Sequence, residues 1–100
     1  MPTISTTVNW ENGKGHVAKI QVPATNGATT IQWTCGTDVA SFAITGLDPA
    51  EFTPSQSNGQ VTTFTTTDRN DTARTYSYTV TATHTDGSTS SHDPKIENGT

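Results

Sequence analysis

Charge is scarce in this chain. Only 14% of its 100 residues are charged, and five of those are Lys or Arg. The five are scattered, so no clustered basic face exists of the kind a nucleic-acid binder needs. Cysteine is almost missing. Cys35 stands alone, which excludes an internal disulfide and any multi-cysteine zinc site. No apolar run is long enough to cross a bilayer, and Met1-Pro2-Thr3 does not open a charged-then-apolar signal segment. Hydrophobic residues amount to 29%, low enough to raise the question of disorder.

The chain does have threonine: 23 Thr, with 8 Ser besides. Thr is β-branched and suits a pleated, half-exposed surface. The apolar residues are also patterned, which answers the question of disorder. A chain of this length makes one domain, residues 1–100, with one core and no room for a deep cleft.

Seven short alternating segments read as strands. The first, 3–10, sets Ile4, Thr6, Val8 and Trp10 on one face and is followed by a loop over 11–15. The second, 16–22, turns Ala18, Ile20 and Val22 inward. Pro23 ends it, and Asn26-Gly27 makes a turn. The third, 29–35, aligns Ile31, Trp33 and Cys35, with Thr30, Gln32 and Thr34 opposite. The fourth, 39–45, buries Phe42 and Ile44. Asp48-Pro49-Ala50-Glu51 has the form of one helical turn, with Asp48 as N-cap and Glu51 as capping-box partner. A plain β-turn fits these four residues equally well. Leu47 and Phe52 would pin this crossing to the core. The fifth strand, 60–67, needs a bulge to bring Val61 and Phe64 to one face. In the sixth, Tyr76, Tyr78, Val80, Ala82 and His84 alternate with Ser77, Thr79, Thr81 and Thr83.

Parity fixes the last hairpin. Ile96 is the only large apolar residue of the final strand, so it and Tyr76 both face inward, and directly paired residues share a face. That favours the odd loop Thr85-Asp86-Gly87, closed by His84 and Ser88, with Gly87 left-handed; a two-residue Asp86-Gly87 turn would point Asp93 and Lys95 into the core unless a bulge corrected it. Val80 then faces His92, and Tyr76 faces Ile96. Together these segments predict an all-β fold, a seven-stranded antiparallel two-sheet sandwich.

The run from Tyr76 to Ala82 followed by Asp86-Gly87-Ser88, together with the Trp strand Ile31-Gln32-Trp33-Thr34, resembles bacterial and phage immunoglobulin-like modules. Fibronectin type III, polycystic-kidney-disease-type and cadherin-like repeats share the pattern. The resemblance implies adhesion, carbohydrate or cell-surface contact, or spacing between functional domains. Asp68-Arg69-Asn70-Asp71 is similar to a cadherin calcium motif, though it sits between the fifth and sixth strands.

Several residues have the chemistry for a site. Asp68, Asn70 and Asp71 are hard oxygen ligands in one loop and form the candidate calcium site. Cys35 with a histidine would make a thiol enzyme, but its alternation with Ile31 and Trp33 points it into the core. His84 and His92 share a face four positions apart along the sheet, too far for one zinc ion. The nine acids fall mainly in loops with no convergent pair. Thr79, Thr81 and Thr83 form an exposed row, Thr63, Thr65 and Thr67 a second, and Trp10, beside the 11–15 loop, could anchor a partner or stack on a sugar, or equally cap the bottom of the core. Such Thr rows could take ice or O-linked sugar, or serve simply as polar strand. Asn70-Asp71-Thr72 and Asn98-Gly99-Thr100 match N-glycosylation acceptors.

The expectation is a non-catalytic structural or binding module of a bacterial surface or phage structural protein. It would meet protein or glycan, or act as a spacer, at the cell surface or on a virion. No cofactor is expected apart from calcium, and no nucleic acid or membrane insertion. Flanking domains or self-association through an edge strand are compatible with it. The alternatives are a calcium-stabilised adhesive repeat and a small thiol-dependent enzyme.

Overall fold

A computed structural model describes residues 1–99. The strands, in chain order, are β1 Thr3–Glu11, β2 Lys14–His16, β3 Ile20–Val22, β4 Thr29–Cys35, β5 Val39–Thr45, β6 Phe52–Thr53, β7 Thr63–Asp68, β8 Arg74–Ser77, β9 Thr79–His84, β10 Thr89–His92 and β11 Lys95–Asn98. A single 3-10 turn, Ala24–Asn26, links β3 to β4. The strands form a five-stranded sheet, β2-β1-β4-β7-β6, and two three-stranded sheets, β10-β9-β5 and β3-β11-β8.

The all-β class follows from the alternation, but eleven strands in three sheets stand where seven in two were expected. The extra breaks have local causes. Pro94 has no N–H to continue the ladder, so the last strand divides into β10 and β11. Opposite it Tyr78 divides the sixth strand into β8 and β9, and its N–H reaches Pro94 O at 3.2 Å. The expected second strand breaks after His16. Val17 is the buried residue there, and Ala18, expected inward, is exposed. Two pairings are parallel rather than antiparallel: β1 with β4, and β3 with β11.

The stretch 11–15 is a tight hairpin rather than an open loop. Asn12 and Gly13 have φ of 52° and 77°. Two successive left-handed residues make the turn whose twist matches the flanking strands. The hairpin lays Gly15 directly on β9, where an added Cβ would come within 2.7 Å of Ala82 Cβ. Gly15→Ala is therefore expected to overpack this crossing. A loss of about 1–3 kcal/mol, read by thermal melting, is the expected result, and an unchanged melting temperature would mean that the two strands move apart freely.

Val61 and Phe64 are not reconciled by a bulge. Val61 exchanges both backbone hydrogen bonds with Phe42, at 2.8 and 2.9 Å, and from Thr63 onward the chain pairs with β4. The segment changes sheets between the two residues, and the register shift lies in β5, between Val39 and Ser41. Ser57 extends the same edge. Its N–H donates to Ile44 O at 2.9 Å, and Ile44 N–H donates to Ser57 Oγ at 2.9 Å.

The Asp48 segment is a single capped turn. Asp48 Oδ1 accepts the Ala50 N–H at 2.9 Å, and Asp48 O accepts from Glu51 and Phe52 at 3.0 and 2.9 Å. Glu51 is not a capping-box partner. It is buried and accepts a hydrogen bond from the Tyr76 hydroxyl at 2.8 Å. Leu47 and Phe52 are buried as expected.

The last hairpin has the predicted register. His84 N–H donates to Ser88 O at 2.7 Å, Gly87 has φ 94°, and the pairs are Val80 with His92 and Tyr76 with Ile96. The core runs through Val8, Ile31, Trp33, Phe42, Ile44, Val80 and Ile96. Trp33 is fully buried at its centre, and its Nε1–H donates to the Tyr78 hydroxyl at 3.1 Å.

Candidate functional site

Three polar regions remain once the core is accounted for, one buried, one along β9 and one on the outer face of the five-stranded sheet. The buried one gathers around Asp68. Phe64, Thr66 and Asp68 occupy the inward positions of β7, so period-two alternation drives a carboxylate into the interior. Asp68 Oδ1 accepts the Asn70 N–H and Asn98 Nδ2–H, each at 2.9 Å. Burial pushes the Asp68 carboxyl above its usual range; these two hydrogen bonds pull the other way, and the Glu51 and Asp71 charges add to the rise.

Asn70 takes the left-handed conformation, φ 49°. Its Nδ2 donates to Pro23 O at 2.9 Å and Gly27 O at 3.0 Å, so it clasps the β3–β4 connection. Asp71 stands apart: it is exposed, and Arg69 Nη2 lies 3.1 Å from its Oδ2. Of the three expected calcium ligands, Asp68 and Asn70 are therefore together and Asp71 is outside.

Glu51, Tyr76 and Asn98 complete the region; the sequence marks them for other reasons, as a capping partner, a core tyrosine and a glycosylation asparagine, and not as ligands. The signal for Asn98 was present, because it lies two residues beyond the inward Ile96. Nothing local marks Glu51 as buried; it is drawn in by Tyr76 from 25 residues away. Burial and the Glu51 carboxylate push the Tyr76 hydroxyl up to about 12. Among the described residues, no three His, Cys, Asp or Glu side chains converge as a metal cluster. Asn70 and Asn98 are also the asparagines of the two glycosylation motifs. Both amides are buried and already donating, so the folded chain does not present them to a transferase.

The region along β9 is made of hydroxyls. On β9, Thr79 Oγ1 donates to Asp93 Oδ1 at 2.9 Å, Thr81 Oγ1 lies 3.2 Å from Ser91 Oγ, and Thr83 Oγ1 donates to Gln60 Oε1 at 3.2 Å. Ser41 Oγ donates to the same Gln60 oxygen at 2.7 Å. This row is half-buried rather than exposed, and its hydroxyls are engaged by Asp93, Ser91 and Gln60 beside it. A cavity of about 260 Å³ lies beside it, lined by Gly46, Ser77, Tyr78, Thr79, Asp93 and Lys95.

The outer face of the five-stranded sheet is different. Register places Thr53, Thr67, Thr30 and Thr3 in one row across four strands. Thr65, Gln32 and Ser5 form the next row, and Thr63, Thr34 and Thr7 the third. None of the ten carries a charge. Thr30 Oγ1 donates to Met1 Sδ at 3.2 Å; among the described residues, no side-chain hydrogen bond joins the other nine.

The remaining candidates are placed as follows. Cys35 is half-buried, and burial pushes its thiol up, the opposite of what a nucleophilic thiolate needs. His16 and His92 stack with ring centres 5.1 Å apart, and His92 Nε2 lies 3.3 Å from Val17 O. His84 lies against Trp10, ring centres 4.8 Å apart, with its Nδ1 3.0 Å from Asp86 Oδ1. Trp10 is half-buried against the core rather than free at the rim. Met1 is the one large hydrophobic residue exposed among the described residues. No helix among them is long and apolar enough to cross a membrane. No protein-family model and no curated protein matches this chain.

Proposed function

We propose that the chain is an immunoglobulin-like module without catalytic activity, part of a bacterial surface or phage structural protein. It works by hydrogen-bonded contact with a neutral glycan through the outer face of the five-stranded sheet. The uncharged Thr–Gln–Ser face carries this reading. Nine side chains with unused hydroxyl or amide groups stand in three regular rows, where a sugar's hydroxyls find both donors and acceptors. The interior supports the same reading. Six of seven aromatic residues are buried and Trp10 is half-buried, so the surface offers hydrogen bonds and little apolar anchoring. In favour of the immunoglobulin-like fold are the buried Trp on β4 and the pairing of β3 with the last strand. So is the short step from β8 to β9 and from β10 to β11, which on this reading groups the three sheets as two layers.

The test is an array of neutral glycans probed with the wild-type chain and with Gln32→Arg. Gln32 sits mid-face between Ser5 and Thr65 and is half-exposed. The substitution is expected to abolish retention while stability stays within about 0.5 kcal/mol, as for ordinary surface changes. Retention that survives Gln32→Arg would remove this face from the function. An array that retains nothing would leave a spacer.

A further inference from the structure

The buried region around Asp68 holds acceptors that no donor meets. Glu51 Oε1, Asp68 Oδ2, Asn70 Oδ1 and Asn98 Oδ1 are all buried without a hydrogen-bond partner among the described residues. Their residues are 6%, 0%, 8% and 2% exposed. The neighbouring donors are already in use. Asn98 Nδ2 and Asn70 N–H are on Asp68 Oδ1, Asn70 Nδ2 is on Pro23 O and Gly27 O, and the Tyr76 hydroxyl is on Glu51 Oε2.

The nearby cations do not help. Arg69 is turned onto Ala50 O and Asp71, and Arg74 lies over the Tyr76 ring at 5.3 Å. The charges that act on Asp68 are Glu51 and Asp71, both negative. Two buried carboxylates without a basic partner, beside two amide oxygens, are an arrangement that folding disfavours unless a proton neutralises one carboxyl or a cation joins the group, and a cation would meet all four oxygens at once. The set is all oxygen, with no nitrogen or sulfur, which selects a hard cation. Calcium accepts carboxylate, amide and water oxygens in irregular geometry, whereas magnesium demands a near-ideal octahedron.

We propose that Glu51, Asp68, Asn70 and Asn98 bind one calcium ion inside the fold. The ion links β7, through Asp68, to β11 of a different sheet, through Asn98. The site is independent of the glycan-contact face and stands whether or not that face binds sugar. It differs from a loop site in that Asp71, on the surface, takes no part.

The test uses the full chain, with equilibrium dialysis against calcium and thermal melting in calcium, magnesium and chelator. One calcium per chain is expected, with a melting temperature about 10 °C higher than in chelator at roughly a hundredfold excess over Kd, and a smaller response to magnesium. Glu51→Gln and Asp68→Asn keep the shape and remove one charge each. Both are expected to abolish the calcium-dependent rise, and Glu51→Gln keeps the test open should Asp68→Asn not fold. Asp71→Asn is expected to retain the rise. No bound calcium with equal melting temperatures in all three conditions would overturn the proposal. So would a response lost on Asp71→Asn and kept by Glu51→Gln, which would place the ion on the surface loop.

Discussion

Trp33→Ala is expected to remove about 3–5 kcal/mol of stability, the range for emptying a buried aromatic site. Domains of this size hold roughly 5–15 kcal/mol in all, so the variant sits near the edge of folding. The reasons are specific. Trp33 is fully buried, its ring centre lies 5.5 Å from Phe64 and 5.6 Å from Tyr78, and its Nε1–H is the partner of the Tyr78 hydroxyl. Tyr78 sits at the break between β8 and β9, so Trp33 also supports the point where two sheets meet. Urea unfolding checks the prediction: the midpoint should fall with an unchanged slope. A loss below about 1 kcal/mol would show that the neighbours collapse into the space. Trp33→Phe should fall between the two, since it restores part of the volume and none of the hydrogen bond.

The second large effect is expected at Asn70, a residue of an ordinary-looking polar loop. Asn70→Ala removes two hydrogen bonds to the carbonyls of Pro23 and Gly27, at about 1 kcal/mol each. It also leaves alanine in a left-handed conformation that asparagine tolerates better, at roughly 1 kcal/mol more. A total of about 2–4 kcal/mol follows, measured in chelator so that metal binding does not contribute. Asn70→Gly separates the terms: it keeps the backbone comfortable and should lose only the hydrogen-bond share. If the glycine and alanine variants are equally unstable, the left-handed conformation carries no cost here.

What the sequence made legible was much of what depends on period two and turn parity, though not at Ala18 or Asp68. The limits of β4 and β5, the inward set of Phe42 and Ile44, and the pairing of Val80 with His92 all follow from alternation and from the number of residues in the last turn. Two further signals lie in the sequence. Asn12-Gly13 is the strongest short hairpin signal, yet 11–15 reads as a loop because only three residues of strand follow it. The alternation through Phe64 and Thr66 placed Asp68 inward, where its composition suggested an exposed turn. The rest could not be read locally. That β1 lies parallel to β4, that Val61 joins Phe42 and not β4, and that Glu51 meets Tyr76 are choices of partner between distant segments. Alternation says which side a residue faces and nothing about what faces it. The candidate site suffered most, since its oxygens come from three separate stretches of chain, around Glu51, Asp68 to Asn70, and Asn98.

The free edge of β5 has a consequence for how copies of this chain behave when crowded. A seven-residue strand with open amides is a template on which another chain can add a strand. Here Ser57 and Val61 take up the amides and carbonyls of Ile44 and Phe42 from within the same molecule. The 57–61 segment works as a built-in stopper. Copies of the chain brought close together are thereby kept from adding a strand at this edge.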